Sequence, residues 1–221
     1  MTTSHKIHIK ESLTIGWETF KAAPWLFITI PLVLLALATG ISIIEELLSI
    51  IFGKPQMELI IHIESFVTTM LMSIGIGTLY LKALHSVGSA ELRDLWNPKP
   101  FWRYVGVSIV GGTAILLGLV LLIVPGIIIA LAFSLSGLLV IEKGLGPIEA
   151  LKESVRLTKG HRFDLFKLSL ANLGINILGA CAFIVGVFVT IPVTELAFVN
   201  AYRKLSKGAG IKKDSHTEVG E

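Results

Sequence analysis

Long apolar runs alternate with short polar intervals along almost the whole chain, and this alternation predicts six membrane-spanning helices. The runs cover about Pro24 to Ile44, Phe66 to Leu84, Tyr104 to Val124, Ile127 to Ile141, Phe163 to Val185 and Val187 to Leu205. A helix needs roughly 20 mostly apolar residues to cross the hydrocarbon core. The fourth run is shorter, so it is expected to span by thinning the bilayer locally or by snorkelling of Glu142 and Lys143. Only Pro125 and Gly126 separate the third and fourth runs, which predicts a tight hairpin turning at that pair. The fifth and sixth runs are expected to turn near Gly186. The fold class expected is an all-α membrane protein of three helical hairpins.

The polar intervals repeat themselves. "IKESL" at 9–13, "LRDLW" at 92–96 and "LKESV" at 151–155 share one order: apolar, basic, acidic, variable, apolar. About ten residues after the basic position an aromatic follows in each, Phe20, Trp102 and Phe163, and then a hairpin begins. The unit predicted is an amphipathic surface helix plus a hairpin, used three times over about 6–84, 89–141 and 146–205. Together these form one domain over 1–205, with 206–221 as a polar, disordered tail. Ile9, Leu13, Trp17 and Phe20 supply the apolar stripe of the first surface helix, and Ile148, Leu151 and Val155 that of the third. Pro147 suits a first helical turn and Gly160 a C-terminal cap. Trp96, Phe101, Trp102 and Tyr104 add an aromatic belt to the second. Such helices lie in the membrane interface as collars that orient the hairpins. The same faces are candidate docking surfaces for a protein partner.

Composition agrees with the pattern. Of 221 residues, 53% are hydrophobic and 16% charged, against about 25% charged in an ordinary soluble domain. Mean hydropathy is +0.78, so the lipid bilayer is the chain's principal partner. The net charge of +3 reflects position rather than a nucleic-acid surface. Of 19 lysines and arginines, 18 fall in the terminal segments and the second-to-third and fourth-to-fifth connections; only Lys54 falls on the other side. Basic residues concentrate on the cytoplasmic face, so both termini are expected there, in a multi-pass protein of the inner or plasma membrane. No basic stripe with interleaved aromatics suggests a nucleic acid. Cys181 is the single cysteine and has no partner for an intramolecular disulfide. The 23 residues before the first run hold Lys6, Lys10, Glu11, Glu18 and Lys21, which suits a retained helix better than a signal peptide.

Residues Ile123 to Gly160 resemble a group of bacterial and archaeal six-helix membrane proteins that includes the membrane domain fused to some glycerophosphodiester phosphodiesterases. The matching features are Pro125-Gly126, Glu142 with Gly144, Ala150, Ser154, Thr158 and Gly160, with Pro192 and "AYRKL" at 201–205 further on. The resemblance covers about the last hundred residues. It implies a six-span fold and no mechanism. The chain has no catalytic barrel, so the activity of the fused relatives does not extend to it.

Ionisable groups inside spans are costly and are functional candidates by default. Glu195 lies eight residues into the sixth run, roughly 12 Å along a helix. Pro192, three residues earlier, frees a backbone carbonyl one turn back. Asn172 and Asn176 share a face of the fifth run and are its expected partners. This trio is either a proton or cation site of a small transporter or an interhelical hydrogen bond that holds the bundle together. A second candidate is external: Glu58 and His62 at helical spacing, with Glu64, could ligate a divalent metal or form a solvated acidic loop. Thr69, Ser73 and Gly77 recur every four residues, as do Ala130 and Ser134, and Ser108 and Gly112; these small residues are expected to be packing surfaces rather than a pore lining. No Walker loop, HExxH or nucleophile elbow is present. The leading expectation is therefore a membrane protein without enzymatic activity or cofactor, serving as an accessory or membrane-organising component. A proton- or cation-coupled transporter using Glu195 is the alternative, and an intramembrane enzyme comes third.

Overall fold

The computed structural model describes residues 7–181 and 183–208, with side chains described outside 54–57 and 183–185. Lys6, Lys212, Lys213 and the tail beyond Gly208 lie outside the described residues. Among the described residues all regular structure is helical: α1 (Ile9–Ala22), α2 (Pro24–Phe52), α3 (Lys54–His85), α4 (Phe101–Leu121), α5 (Ile123–Phe133), α6 (Ser136–Lys143), α7 (Pro147–Thr158), α8 (Arg162–Cys181) and α9 (Phe183–Gly208). Four segments are long and apolar enough to cross a membrane: Pro24–Phe52, Glu58–His85, Phe101–Leu121 and Ile123–Lys143. The fourth is α5 and α6 taken together. Their outer faces leave large apolar side chains uncovered, among them Leu35, Ile43, Leu117 and Val120, as helices facing acyl chains do.

Several boundaries differ from the sequence expectation, each for a local reason. The hairpin between α4 and α5 turns on Leu122 alone, which is extended (φ −161°, ψ 139°). Pro125 sits in the first turn of α5, where a helix has no use for its missing N–H. Gly126 serves close packing instead of reversal: a Cβ there would stand 2.4 Å from Leu119. The fourth span therefore starts at Ile123, has 21 residues and needs no thinned bilayer. Helix α8 is described as far as Cys181 and α9 from Phe183, so Gly186 lies within α9. A Cβ on Gly186 would stand 2.3 Å from the Gly179 carbonyl oxygen, so this glycine too permits close helix approach. Helices α2 and α3 outrun their apolar stretches and meet at Gly53, whose φ of 87° suits glycine. Glu45, Glu46, Glu58, His62 and Glu64 consequently stand on helices, not in a loop.

Of the three polar repeats, two are helices. "IKESL" opens α1 and "LKESV" lies within α7, whereas "LRDLW" forms only a short 3-10 turn at Leu92–Leu95. Side-chain ties close that turn: Asp94 accepts from the Glu91 N–H at 3.0 Å and pairs with Lys82 of α3. Burial opposes ionisation of Asp94, yet Lys82 and the Glu91 N–H hold its carboxyl below the ordinary range. Pro98 and Pro100 then stop any longer helix. The turn sits directly on α3, where Gly75 has no side chain to hold its backbone away.

The helical copies pack only partly through the stripes expected of them: Phe20 and Leu151 are buried, whereas Trp17 and Ile148 are exposed. Helix α1 runs antiparallel along α9 and buries Ser12, Gly16 and Phe20, while Trp17 stays 44% exposed. A Cβ on Gly16 would come 2.5 Å from the Val193 carbonyl oxygen. Ser12 accepts from the Asn200 side chain at 3.4 Å, and Glu11 pairs with Lys204 at 2.7 Å. Helix α7 buries Ala150, Leu151, Ser154, Leu157 and Thr158, and leaves Ile148 exposed. Ser12 and Ser154 hold the same position in the repeat, and both are fully buried and bonded to another helix.

Ser154 has the more demanding task. Ser134 and Leu135, between α5 and α6, keep right-handed helical dihedrals, but the hydrogen-bond ladder is interrupted there, which turns an N–H and a carbonyl over to other partners inside the bundle. Ser154 donates to the Ala132 carbonyl at 2.7 Å and accepts from the Leu135 N–H at 3.2 Å. Thr158, one turn on, adds a bond to Ala132 at 3.4 Å. Ser154→Ala should lower stability in detergent by about 1–3 kcal/mol, the cost of leaving such groups unpaired. Lys152→Ala, on the solvent side of the same helix, should change it by less than about 0.5 kcal/mol. Unfolding midpoints measured side by side check this, and equal midpoints for the two variants would contradict it.

Candidate functional site

Helices α3, α6 and α9 share a register of 61 residues that places like positions at like heights. Lys82, Lys143 and Lys204 occupy one such position; Tyr80, Ile141 and Tyr202 occupy another. At the end of the bundle where these lysines lie, the helices are tied together. The Tyr202 hydroxyl donates to Glu142, and Arg203 donates to the Leu81 carbonyl at 2.8 Å. Leu81, Glu142 and Arg203 are again 61 residues apart. The closure therefore joins α9 to both of its counterparts at one level.

Deeper than this closure the three helices part around a cleft of about 290 Å³, with α4 as a fourth wall. Ser73, Ser134 and Glu195 face it from matching positions, as do Gly77, Leu138 and Val199. Tyr80 and Tyr104 supply aromatic walls. Gly137 makes room for one of them, since a Cβ there would lie 3.1 Å from the Tyr104 ring. Glu195 stands seven residues from Tyr202, about 10 Å along α9. Protein surrounds it closely, yet its side chain remains accessible through the cleft. It lies close enough to Tyr80 and Tyr104 for its charge to act on both. Among the described residues Glu195 makes no hydrogen bond and no ion pair. The two cleft serines are committed elsewhere, Ser73 donating to the Thr69 carbonyl and Ser134 to that of Leu131.

The partners expected for Glu195 belong to its neighbour. Asn172 donates to the Thr194 carbonyl at 3.0 Å, and Asn176 donates to the Thr194 hydroxyl at 3.1 Å. Adjacent residues on a helix point about 100° apart, so the face of α9 that meets α8 is not the face that holds Glu195. The α8–α9 seam is thus fastened through Thr194, and Glu195 is left free for the cleft. Tyr80, Tyr104 and the roles of Ser73 and Ser134 were not evident from the spans alone. The signal that finds them is the 61-residue register, in which Glu195 replaces a serine.

The external set is only partly brought together. Glu58 and His62 share a face of α3 with 4.0 Å between them, both widely exposed. Glu64 points elsewhere: it accepts from Thr68 at 2.6 Å and faces Glu45 across the α2–α3 seam. Among the described residues no three His, Cys, Asp or Glu side chains gather as metal ligands.

Comparison with known proteins adds a family and no activity. A family model described as "Protein of unknown function (DUF975)" matches residues 4–209. No curated protein and no solved structure matches the chain. The expected kinship with glycerophosphodiester phosphodiesterases receives no support from these comparisons.

If Glu195 is not a tie between helices, neutralising it should leave the fold alone. Glu195→Gln and Glu195→Leu should each hold stability in detergent within about 0.5 kcal/mol of the parent. Thr194→Val, next to it, should cost about 1 kcal/mol, the usual size of an interhelical hydrogen bond in a membrane protein. Thermal unfolding of the three variants checks the ranking, and a Glu195 variant less stable than Thr194→Val would reverse it.

Proposed function

We propose, for a chain that belongs to the DUF975 family, a six-span membrane protein that takes up a cation or proton at Glu195 and moves it as a small transporter. The four strongly apolar segments would be joined as crossings by α8 and α9, which have 20 and 26 residues and so are long enough. Their greater polarity has specific employment: Asn172, Asn176 and Thr194 face one another, and Glu195 faces the cleft. With 18 of 19 basic residues on one side of this arrangement, both termini would be cytoplasmic.

The observation that supports transport over a purely organising role is the accessibility of Glu195. A carboxyl used as glue would be packed against a donor, because an unpaired ionisable group at that depth is costly. Here the carboxyl has no protein partner among the described residues and opens on a cleft. The register sharpens the contrast: serine fills the matching positions on α3 and α6, so packing at this level does not demand a charge.

Protonation of such a group moves charge within the membrane field, and that can be read without knowing the substrate. Protein reconstituted on a solid-supported membrane should give a transient current when pH is stepped. Glu195→Gln should abolish the transient while keeping the unfolding temperature of the parent. An equal transient in Glu195→Gln, or none in the parent, would overturn the proposal.

A further inference from the structure

We infer that the ligand of the Glu195 cleft is an organic monocation, an amine or quaternary ammonium with an apolar body, rather than an inorganic ion; this rests on the cation-site reading above. Three features of the cleft point to that class. The first is charge: among the described residues Glu195 is the only carboxylate, lysine, arginine or histidine on the wall, so they give the site a single negative charge. The second is the lack of ligands for a bare metal ion. Calcium takes six to eight oxygens and magnesium six, and one carboxylate cannot provide them. The third is the wall. Tyr80 and Tyr104 line the cleft together with the carboxylate, and an aromatic wall attracts a desolvated cation. Ile76, Leu138, Ile141 and Phe198 form the rest, a surface that rewards an apolar body and would leave a hydrated ion unsatisfied. The volume of about 290 Å³ suits a small organic molecule.

Tyr80 is set for this role by its other side. Its ring stacks on Phe27, 6.0 Å between centroids, and Phe27 stacks in turn on Phe20 of α1 at 6.0 Å. A buried aromatic row therefore runs from α1 to the cleft wall and fixes the orientation of the Tyr80 ring. Among the described residues the Tyr80 hydroxyl has no hydrogen-bond partner. Its ring, not its hydroxyl, is the part the fold has anchored.

The test uses the full chain in lipid nanodiscs with three probes: phenyltrimethylammonium, choline, and 3,3-dimethylbutan-1-ol, which is choline with carbon in place of the charged nitrogen. Both cations should bind, phenyltrimethylammonium more tightly, and the neutral alcohol should not. Glu195→Gln should weaken cation binding by about tenfold or more. Tyr80→Phe should keep affinity within about twofold and Tyr80→Leu should lose it, because the ring face is what counts. If Tyr80→Leu fails to fold, Tyr104→Leu tests the second ring in its place. Binding of the alcohol as strongly as choline would overturn the inference, as would displacement of choline by sodium at equal concentration. Failure of both cations to bind would also overturn it. If the pH-step transient persists in that last case, the carboxylate site stands and only the ligand class falls; if the transient is missing too, the cation-site reading falls with it.

Discussion

The structure depends on the pairing of one backbone break. Where α5 gives way to α6, the Leu135 N–H and the Ala132 carbonyl lose their helical partners in the interior of an apolar bundle. In such surroundings an unpaired peptide group costs several kcal/mol, so the break can exist only if something bonds both groups. Ser154 does so with a single hydroxyl, donating one way and accepting the other, and Thr158 reinforces it. The consequences spread from there. Beyond the break, Ser134 and Gly137 line the cleft and Glu142 accepts from Tyr202. Helix α7 is in turn held against the bundle by these bonds together with its buried Ala150, Leu151 and Leu157.

A second regularity organises the rest. The last helix of each hairpin has a polar segment seated on it: Leu92–Leu95 on α3, α7 on α5 and α6, and α1 on α9. In two of the three, the acidic residue of the segment pairs with the lysine that ends the inner helix, Asp94 with Lys82 and Glu11 with Lys204. In the third, Glu153 pairs with Arg156 of its own helix. Lys204 holds the Glu11 carboxyl below its ordinary range, as a close opposite charge should. Each of the two interhelical pairs has one partner about half open to solvent, which limits the energy it contributes. Because α1, the first helix, docks on α9, the last, the arrangement closes on itself. The cleft lies where the three inner helices face one another. A charge at one of three matching positions is the kind of local rule-breaking that marks function more often than architecture.

Much of this was legible in the sequence and some was not, for physical reasons. Apolar periodicity located the long helices, because lipid constrains their composition. The repeats at 9–13 and 151–155 were visible, but their stripe was misjudged: Leu13, Trp17 and Ile148 look like the packing face by hydrophobicity. The faces actually buried contain Ser12, Gly16 and Ser154, since close helix approach and backbone pairing favour small and hydroxylated residues. "LRDLW" keeps the pattern without the helix because side-chain ties and two prolines shorten it. Glu195 stands out in the sequence as a carboxyl within an apolar run, and it lines the cleft. Its partner was misassigned because Asn172 and Asn176 lie at suitable heights, while the helix rotation that decides between Thr194 and Glu195 is not written in spacing.

The central claim is that Glu195 makes this cleft selective for cations. Ser73, its register mate across the space, can be replaced by cysteine in a Cys181→Ser background and challenged with two thiol reagents of similar size, one carrying trimethylammonium and the other sulfonate. The account predicts that the cysteine reacts, that the cationic reagent is faster, and that adding Glu195→Gln removes the difference. A Ser73→Cys protein that is unreactive, or whose preference for the cationic reagent survives Glu195→Gln, would contradict it.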